Sequence, residues 1–300
     1  MERIRSRPRS ETLQNADIVP RQHPGAQGLR GCGPPIEGPL EATLLPMNAQ
    51  QDQLPLSGRR AVVTGASSGI GRATARALAA AGANVHLVAR REERLLELVE
   101  ELGACASCSA ADVRDAEAVS EIFDGQSYDL VVANAGLGKG VAPLHEGDTD
   151  DWADMIDTNV KGVLHTARAA LPALRAAGHG DLVLLGSVAG RQVYPGGNVY
   201  NASKHAVRAI YEALRLDEFG SGIRFTTVDP GLVETEFSLV RLGDQDAADR
   251  VYDGMTPLTP EDVADAIRYA VTRPPHVNIG EIVLWPTEQA STRDVHRNGH

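Results

Sequence analysis

The sequence predicts an α/β fold: one doubly wound domain with a seven-stranded parallel sheet and helices on both faces. Three observations carry that expectation. Short apolar runs alternate with stretches of helical period from residue 60 onward, the pattern of a parallel sheet covered on both sides. A glycine-rich turn, Thr64-Gly65-Ala66-Ser67-Ser68-Gly69-Ile70-Gly71, directly follows the first apolar run. Asn134, Ser187 and Pro230 each fall just after a predicted strand, and open parallel sheets bind ligands beyond the carboxyl ends of their strands.

Taken in order, Arg60-Ala61-Val62-Val63-Thr64 reads as a buried strand with a turn signal behind it. Gly65, Gly69 and Gly71 then open a helix to about Gly82, with Ile70, Thr74, Ala77, Leu78 and Ala81 as its apolar stripe. Glycines there permit a tight turn, close approach of backbone to a pyrophosphate, and close packing of helix on strand. Free N–H groups at the helix start would receive the phosphates, where the helix dipole favours negative charge. Asn84-Val85-His86-Leu87-Val88-Ala89 is the second strand, and Arg90-Arg91 follows it. At this spot an acidic residue suits the ribose hydroxyls of NAD, whereas arginine suits a 2′-phosphate. The pair predicts NADP(H), against the alternative that Arg90 and Arg91 begin an exposed helix and pair with Glu92 and Glu93.

Later strands centre on Ser107, Val131, Leu184, Phe225 and Val283, with helices near 91–102, 115–124, 150–177, 200–219 and 260–272. Cys105-Ala106-Ser107-Cys108 has the spacing of a redox or metal motif, yet it falls on the predicted third strand, where residues three apart point to opposite faces. No second cysteine pair follows, and His145, His165 and His205 show no ligand-like grouping, so no metal is expected.

The chemistry concentrates in Tyr200-Asn201-Ala202-Ser203-Lys204. On a helix this spacing puts Tyr200 and Lys204 on one face, about one turn apart. A phenol is a weak acid near neutrality, and a fixed ammonium nearby favours its ionised form. Tyr200 so tuned would donate a proton to a carbonyl oxygen or accept one from an alcohol. Ser187, ending the run Leu182-Val183-Leu184-Leu185, is placed to hold the substrate oxygen, and Asn159 to anchor a water linking Lys204 to solvent.

Residues from about 56 to 290 resemble the short-chain dehydrogenase/reductase family. The stretches that carry the resemblance are Thr64 to Gly71, Asp112-Val113, Asn134-Ala135-Gly136, Asn159, Ser187, Tyr200 with Lys204, and Pro230-Gly231 followed by Thr235. It implies a Rossmann-like domain in which Asp112 and Val113 flank the adenine and Asn134 supports the central strand and the cofactor. Residues from Pro230 through Val233 to Thr235 would cover the nicotinamide amide. Asp151-Trp152, Met155 to Asn159, Gly196 to Tyr200, Pro230 to Ser238, Leu258 to Val263 and His276 to Ile279 are similar to the NADP-dependent 3-hydroxy acid dehydrogenases of the serine/allo-threonine type. The C-terminal third also resembles reductases of the clavulanate dehydrogenase kind. A small hydroxy acid needs a cation for its carboxylate, and Arg191 and Arg241 are the candidates, Arg241 lying in a stretch expected to form a mobile lid. The alternative for Arg241 is an exposed lid residue with no ligand contact. The resemblance further implies a homodimer or homotetramer through the helices at 150–177 and 200–219.

Residues 1–55 hold eight of the seventeen prolines and no Phe, Trp or Tyr, too little apolar surface to offset the entropy of ordering. They are expected to be a disordered extension, and the position of Met47 suggests start-codon choice as its origin. The segment 291–300 reads as a polar, loose tail. A formal charge of −11 argues against general nucleic-acid binding. Absence of a secretory h-region or a membrane-length apolar stretch points to the cytoplasm, with no membrane partner. Two other functions remain open: reduction of a bulkier aldehyde or ketone in secondary metabolism, and non-catalytic NADP sensing.

Overall fold

Seven strands run parallel in the order β3-β2-β1-β4-β5-β6-β7 in the computed structural model, which describes residues 54–298. They are β1 (Arg60–Thr64), β2 (Asn84–Ala89), β3 (Ala106–Ala110), β4 (Leu130–Ala133), β5 (Gly180–Leu185), β6 (Ile223–Pro230) and β7 (Glu281–Leu284). Each strand contains the residue on which the sequence centred it. The expectations for residues 1–53, including the reading of Met47, lie outside the described residues.

The helices are α1 (Gly69–Ala80), α2 (Glu92–Leu102), α3 (Ala116–Phe123), α4 (Thr149–Ile156), α5 (Gly162–Ala177), α6 (Asn198–Asp217), α7 (Glu236–Leu242), α8 (Gln245–Arg250) and α9 (Pro260–Val271). Alternation along the strands divides the core in two. Ala61, Val63, Val85, Leu87 and Val132 pack with Leu78, Leu95 and Ile267 of α1, α2 and α9. Val62, Val131, Leu182 and Phe225 face the other way, onto Val119, Leu174 and Val207 of α3, α5 and α6. Strand order reverses between β1 and β4, so the loops after these two strands part and leave a crevice at their carboxyl ends.

Four local expectations are corrected. The single helix foreseen at 150–177 is broken by a π-helical turn, Asp157–Lys161, between α4 and α5, and π-turns tend to occur at functional positions. The stretch read as a lid carries two short helices: Thr235 caps α7 by accepting from the Phe237 N–H, and Asp244 caps α8 by accepting from the Ala247 N–H. Cys105 lies in a 3₁₀ turn ahead of β3, where its thiol donates to the Leu102 carbonyl, so only Cys108 sits on the strand. The tail is not loose up to residue 298: its backbone bonds back at His296 N to Glu288 O (2.7 Å) and Asn298 N to Gly254 O (2.7 Å).

Candidate active site

The glycine-rich turn crosses from β1 to α1 beneath the crevice. Gly65 and Gly69 take positive φ, +68° and +50°, which L side chains rarely adopt. At Gly71 a Cβ would lie 2.3 Å from the Gly65 carbonyl oxygen, so only glycine lets the helix close on the turn. The neighbouring β4 turn is bolted on by polar contacts. The Thr64 hydroxyl accepts from the N–H groups of Asn134 (3.0 Å) and Ala135 (3.1 Å), and the Asn134 amide donates back to the Thr64 carbonyl (2.8 Å).

The resulting cleft, about 300 Å³, is lined by Gly65, Ser67 to Gly71, Arg90, Arg91, Asp112, Val113 and Asn134 to Gly136. Its chemistry fits a phosphate-bearing nucleotide: a glycine-rich turn at the N-terminus of α1, with a guanidinium at its edge. That guanidinium is Arg91, which donates to the hydroxyls of Ser67 (3.1 Å) and Ser68 (2.7 Å). Arg91 does not pair with the glutamates that follow it. Its ion pair is with Glu236 (3.0 Å), the first residue of α7, which also takes Arg94 (2.6 Å). Arg90 is more exposed and lies 4.0 Å from Asp112. Arg94 escaped the sequence reading, although its place one helical turn after Arg91 was the available signal.

The second half of the cleft opens beyond Asn134 and Gly136 as a cavity of about 360 Å³. Ser187, Tyr200, Lys204, Pro230, Gly231, Val233, Thr235 and Arg241 all line it. Ser187 leaves β5 as the cap of a 3₁₀ turn and accepts from the Ala189 N–H (3.1 Å). Tyr200 and Lys204 occupy the first two turns of α6, both buried.

Electrostatics correct the relay in one respect. Lys204 Nζ donates to the Leu185 carbonyl (2.9 Å) and stands 6.0 Å from the Tyr200 ring centre. Burial, reinforced by Tyr194, holds Tyr200 well above the usual phenol range, against smaller opposing pulls from the Ser187 hydroxyl and Arg241. Burial likewise pulls Lys204 down to about 8, with Asp229 opposing. Asn159 sits in the π-turn with both ends of its amide engaged: Oδ1 accepts from Leu137 N (2.8 Å), and Nδ2 donates to Leu137 O (2.8 Å) and to Ser203 Oγ (3.0 Å).

The two candidate arginines separate. Arg191 is locked onto Asp229 (2.6 Å) and Glu281 and is withdrawn from any substrate role. Arg241 reaches into the cavity from α7. Its Nη1 donates to the Tyr194 hydroxyl (2.6 Å) and its Nε to the Gly140 carbonyl (3.2 Å), while Nη2 is buried with no partner. Its guanidinium carbon lies 5.2 Å from the Tyr200 ring centre and 5.3 Å from that of Tyr194. Phe237, also on α7, packs on Tyr200 at 5.3 Å between ring centres. Tyr194 was missed in the sequence, where nothing but its place between Ser187 and Tyr200 marked it.

Comparison with known proteins agrees with this construction. The short chain dehydrogenase family profile matches residues 59–243. Sulfoacetaldehyde reductase 2 of Chromohalobacter salexigens is 47% identical over 238 residues, covering 76% of this chain and 94% of that protein. An NADP-dependent 3-hydroxy acid dehydrogenase of Escherichia coli strain K12 is 41% identical over 244 residues, covering 79% and 98%. Among solved structures, the closed form of a serine dehydrogenase complexed with NADP⁺ superimposes with a TM-score of 0.76 at 41% identity, covering 79% of this chain and 99% of that one. The chain belongs to the short-chain dehydrogenase/reductase family.

Proposed function

We propose that this chain is an NADP(H)-dependent oxidoreductase that interconverts the alcohol and carbonyl forms of a short substrate carrying an acid group, of the 3-hydroxy acid class. The observation that carries the substrate class is the orphaned Nη2 of Arg241 inside the cavity that also holds Ser187 and Tyr200. A buried guanidinium N–H without an acceptor is costly, and a carboxylate or sulfonate supplies the acceptor. Two relatives support the same class by name, one a 3-hydroxy acid dehydrogenase and one a reductase of an aldehyde that bears a sulfonate.

NADP(H), when bound, supplies or accepts the hydride. Arg91, with Ser67 and Ser68, forms the 2′-phosphate site, joined by Arg94 once Glu236 gives way. Tyr200 protonates the carbonyl oxygen in reduction, and the Ser187 hydroxyl holds that oxygen in place. Burial keeps this phenol in its protonated form, the form that reduction uses. Lys204, whose ammonium titrates near neutrality, replenishes the proton along the face it shares with Tyr200. Asn159 fixes the Leu137 backbone and Ser203 around this path.

The test is a panel of short 3-hydroxy acids, sulfonated aldehydes, neutral amides of the acids, and bulkier ketones, assayed with NADPH and NADP⁺. The wild type is expected to prefer the acids. Arg241→Ala is expected to lose that preference by raising KM for acids about 10- to 100-fold, the range of a charge-assisted bond. Turnover of bulkier ketones alone moves the substrate to secondary metabolism, and tight NADPH binding without turnover points to a sensor. The exposed apolar residues Leu164 of α5, Leu216 of α6 and Phe219 just after α6 support a homodimer or homotetramer, which light scattering on the purified protein checks.

A further inference from the structure

We infer that Gln289, in the C-terminal segment, is a positioning residue for the nicotinamide side of the cleft, an inference that rests on the NADP(H) reading. The turn from Pro230 to Val233 joins β6 to the lid and forms one wall of the catalytic cavity. Its main chain is fixed from several sides. Gly231 N donates to Leu284 O (2.8 Å), Leu258 N donates to Leu232 O (2.9 Å), and the Tyr252 hydroxyl donates to Val233 O (2.8 Å). The Leu232 N–H is the one held by the tail: it donates to Gln289 Oε1 at 2.8 Å.

Gln289 is 5% exposed, and both ends of its amide are engaged, with Nε2 donating to Ser291 O (3.1 Å). A Cβ at Gly231 would lie 2.4 Å from Gln289 Oε1, so the amide packs directly on the backbone of the turn. The hairpin that carries Gln289 is pinned at both of its other sides. Thr292 N donates to Gln192 Oε1 (3.0 Å), shortly after the Ser187 turn, and Thr256 N donates to Glu288 Oε2 (2.6 Å) at the base of the lid. The tail thus buckles three pieces of the cavity together, and Gln289 is its tooth. Removing the amide leaves a buried N–H unpaired and frees the turn to tilt. Gln289 is not among the residues that line the adenosine half of the cleft, and its amide bonds go to Leu232 and Ser291.

The experiment compares Gln289→Met, which keeps length without an amide, with Gln289→Glu, which keeps an acceptor for Leu232. Affinity for NADPH and for 2′,5′-ADP, which lacks the nicotinamide half, is measured calorimetrically beside the melting temperature and the separate kcat and KM. Gln289→Met is expected to weaken NADPH about 10-fold and lower kcat while leaving 2′,5′-ADP affinity unchanged. Gln289→Glu keeps the Leu232 bond but sets its second oxygen against the Ser291 carbonyl, so partial recovery of both is expected. Equal weakening of NADPH and 2′,5′-ADP, or a lowered melting temperature with NADPH affinity intact, overturns the assignment and leaves a merely structural residue. If the wild type prefers NADH, the NADP(H) reading falls instead, and the Gln289 comparison is made with NADH against ADP.

Discussion

The two halves of the cleft are made of different material. Around the nucleotide most of the frame is main chain: the Gly65–Gly71 turn, tied to the next loop by the Thr64 and Asn134 side chains, with Arg91 and two serine hydroxyls at its edge. Around the substrate the working groups are side chains converging from separate segments, namely Ser187 after β5, Tyr200 and Lys204 on α6, Arg241 and Phe237 on the lid, and Gln289 from the tail. A backbone-built site is stiff and accepts any ligand with phosphates to offer. One built from side chains is chemically particular, and in Arg241 Nη2 it keeps an unanswered donor. The first half fixes that a nucleotide binds, and the second decides what is done with it.

That contrast can be broken at several points. The largest effect is expected from Tyr200→Phe, which removes the proton donor and should lower turnover about 10²- to 10⁴-fold. NADPH affinity by fluorescence should stay within a few-fold of wild type, because the change lies wholly in the substrate half. Comparable loss of NADPH binding would show the halves to be one unit.

Next comes a pH effect confined to the substrate half. Folded Lys204 releases its proton near pH 8, whereas the unfolded chain keeps it to the ordinary lysine value of 10.5. The unfolded state therefore binds more protons in that window, and stability rises with pH there. Denaturant titrations of apoprotein between about pH 8 and 10 should show wild type gaining about 2 kcal/mol relative to Lys204→Met. A constant difference between the two proteins would mean that burial does not set this lysine.

A smaller loss is expected from Gly71→Ala. The added Cβ meets the Gly65 carbonyl, and overpacking of about 1–3 kcal/mol should weaken NADPH roughly 10- to 100-fold while leaving the tyrosine chemistry intact at saturation. An unchanged affinity would dispose of the main-chain cradle. The smallest effect is expected at the seam between the halves. Glu236→Gln frees Arg91 and Arg94 of an exposed partner, and since such pairs contribute about 0.2–1 kcal/mol, NADPH should bind a few-fold tighter. Weaker binding would mean that Glu236 holds the arginines in place rather than competing with phosphate.

The same contrast explains how legible the chain was. Strands announced themselves because both faces of a parallel sheet are buried, as with Val62 against α5 and α6 and Val63 against α1 and α9. The glycine turn was legible because its constraint is local. Tyr200 and Lys204 were legible as a pair one helical turn apart, yet their electrostatics were not, because the direction in which Lys204 points depends on the Leu185 carbonyl nineteen residues away. Arg191 and Arg241 looked equivalent in sequence. Only the fold brings Asp229 and Glu281 to the first and leaves the second partly unpaired. Gln289 carried no signal at all, since its partner Leu232 lies 57 residues back along the chain.

The π-turn at Asp157–Lys161 has a consequence for what this chain can lose. It joins α4 to α5 with one residue more than a continuous α-helix would use. The bulge absorbs that residue locally, so Val163, Ala167, Ala170 and Leu174 of α5 stay buried against the sheet. Removing one residue would let the segment rewind to a plain α-helix with α5 still seated, while Asn159 lost its place beside Leu137 and Ser203. The core would therefore survive a length change that cost the site its asparagine.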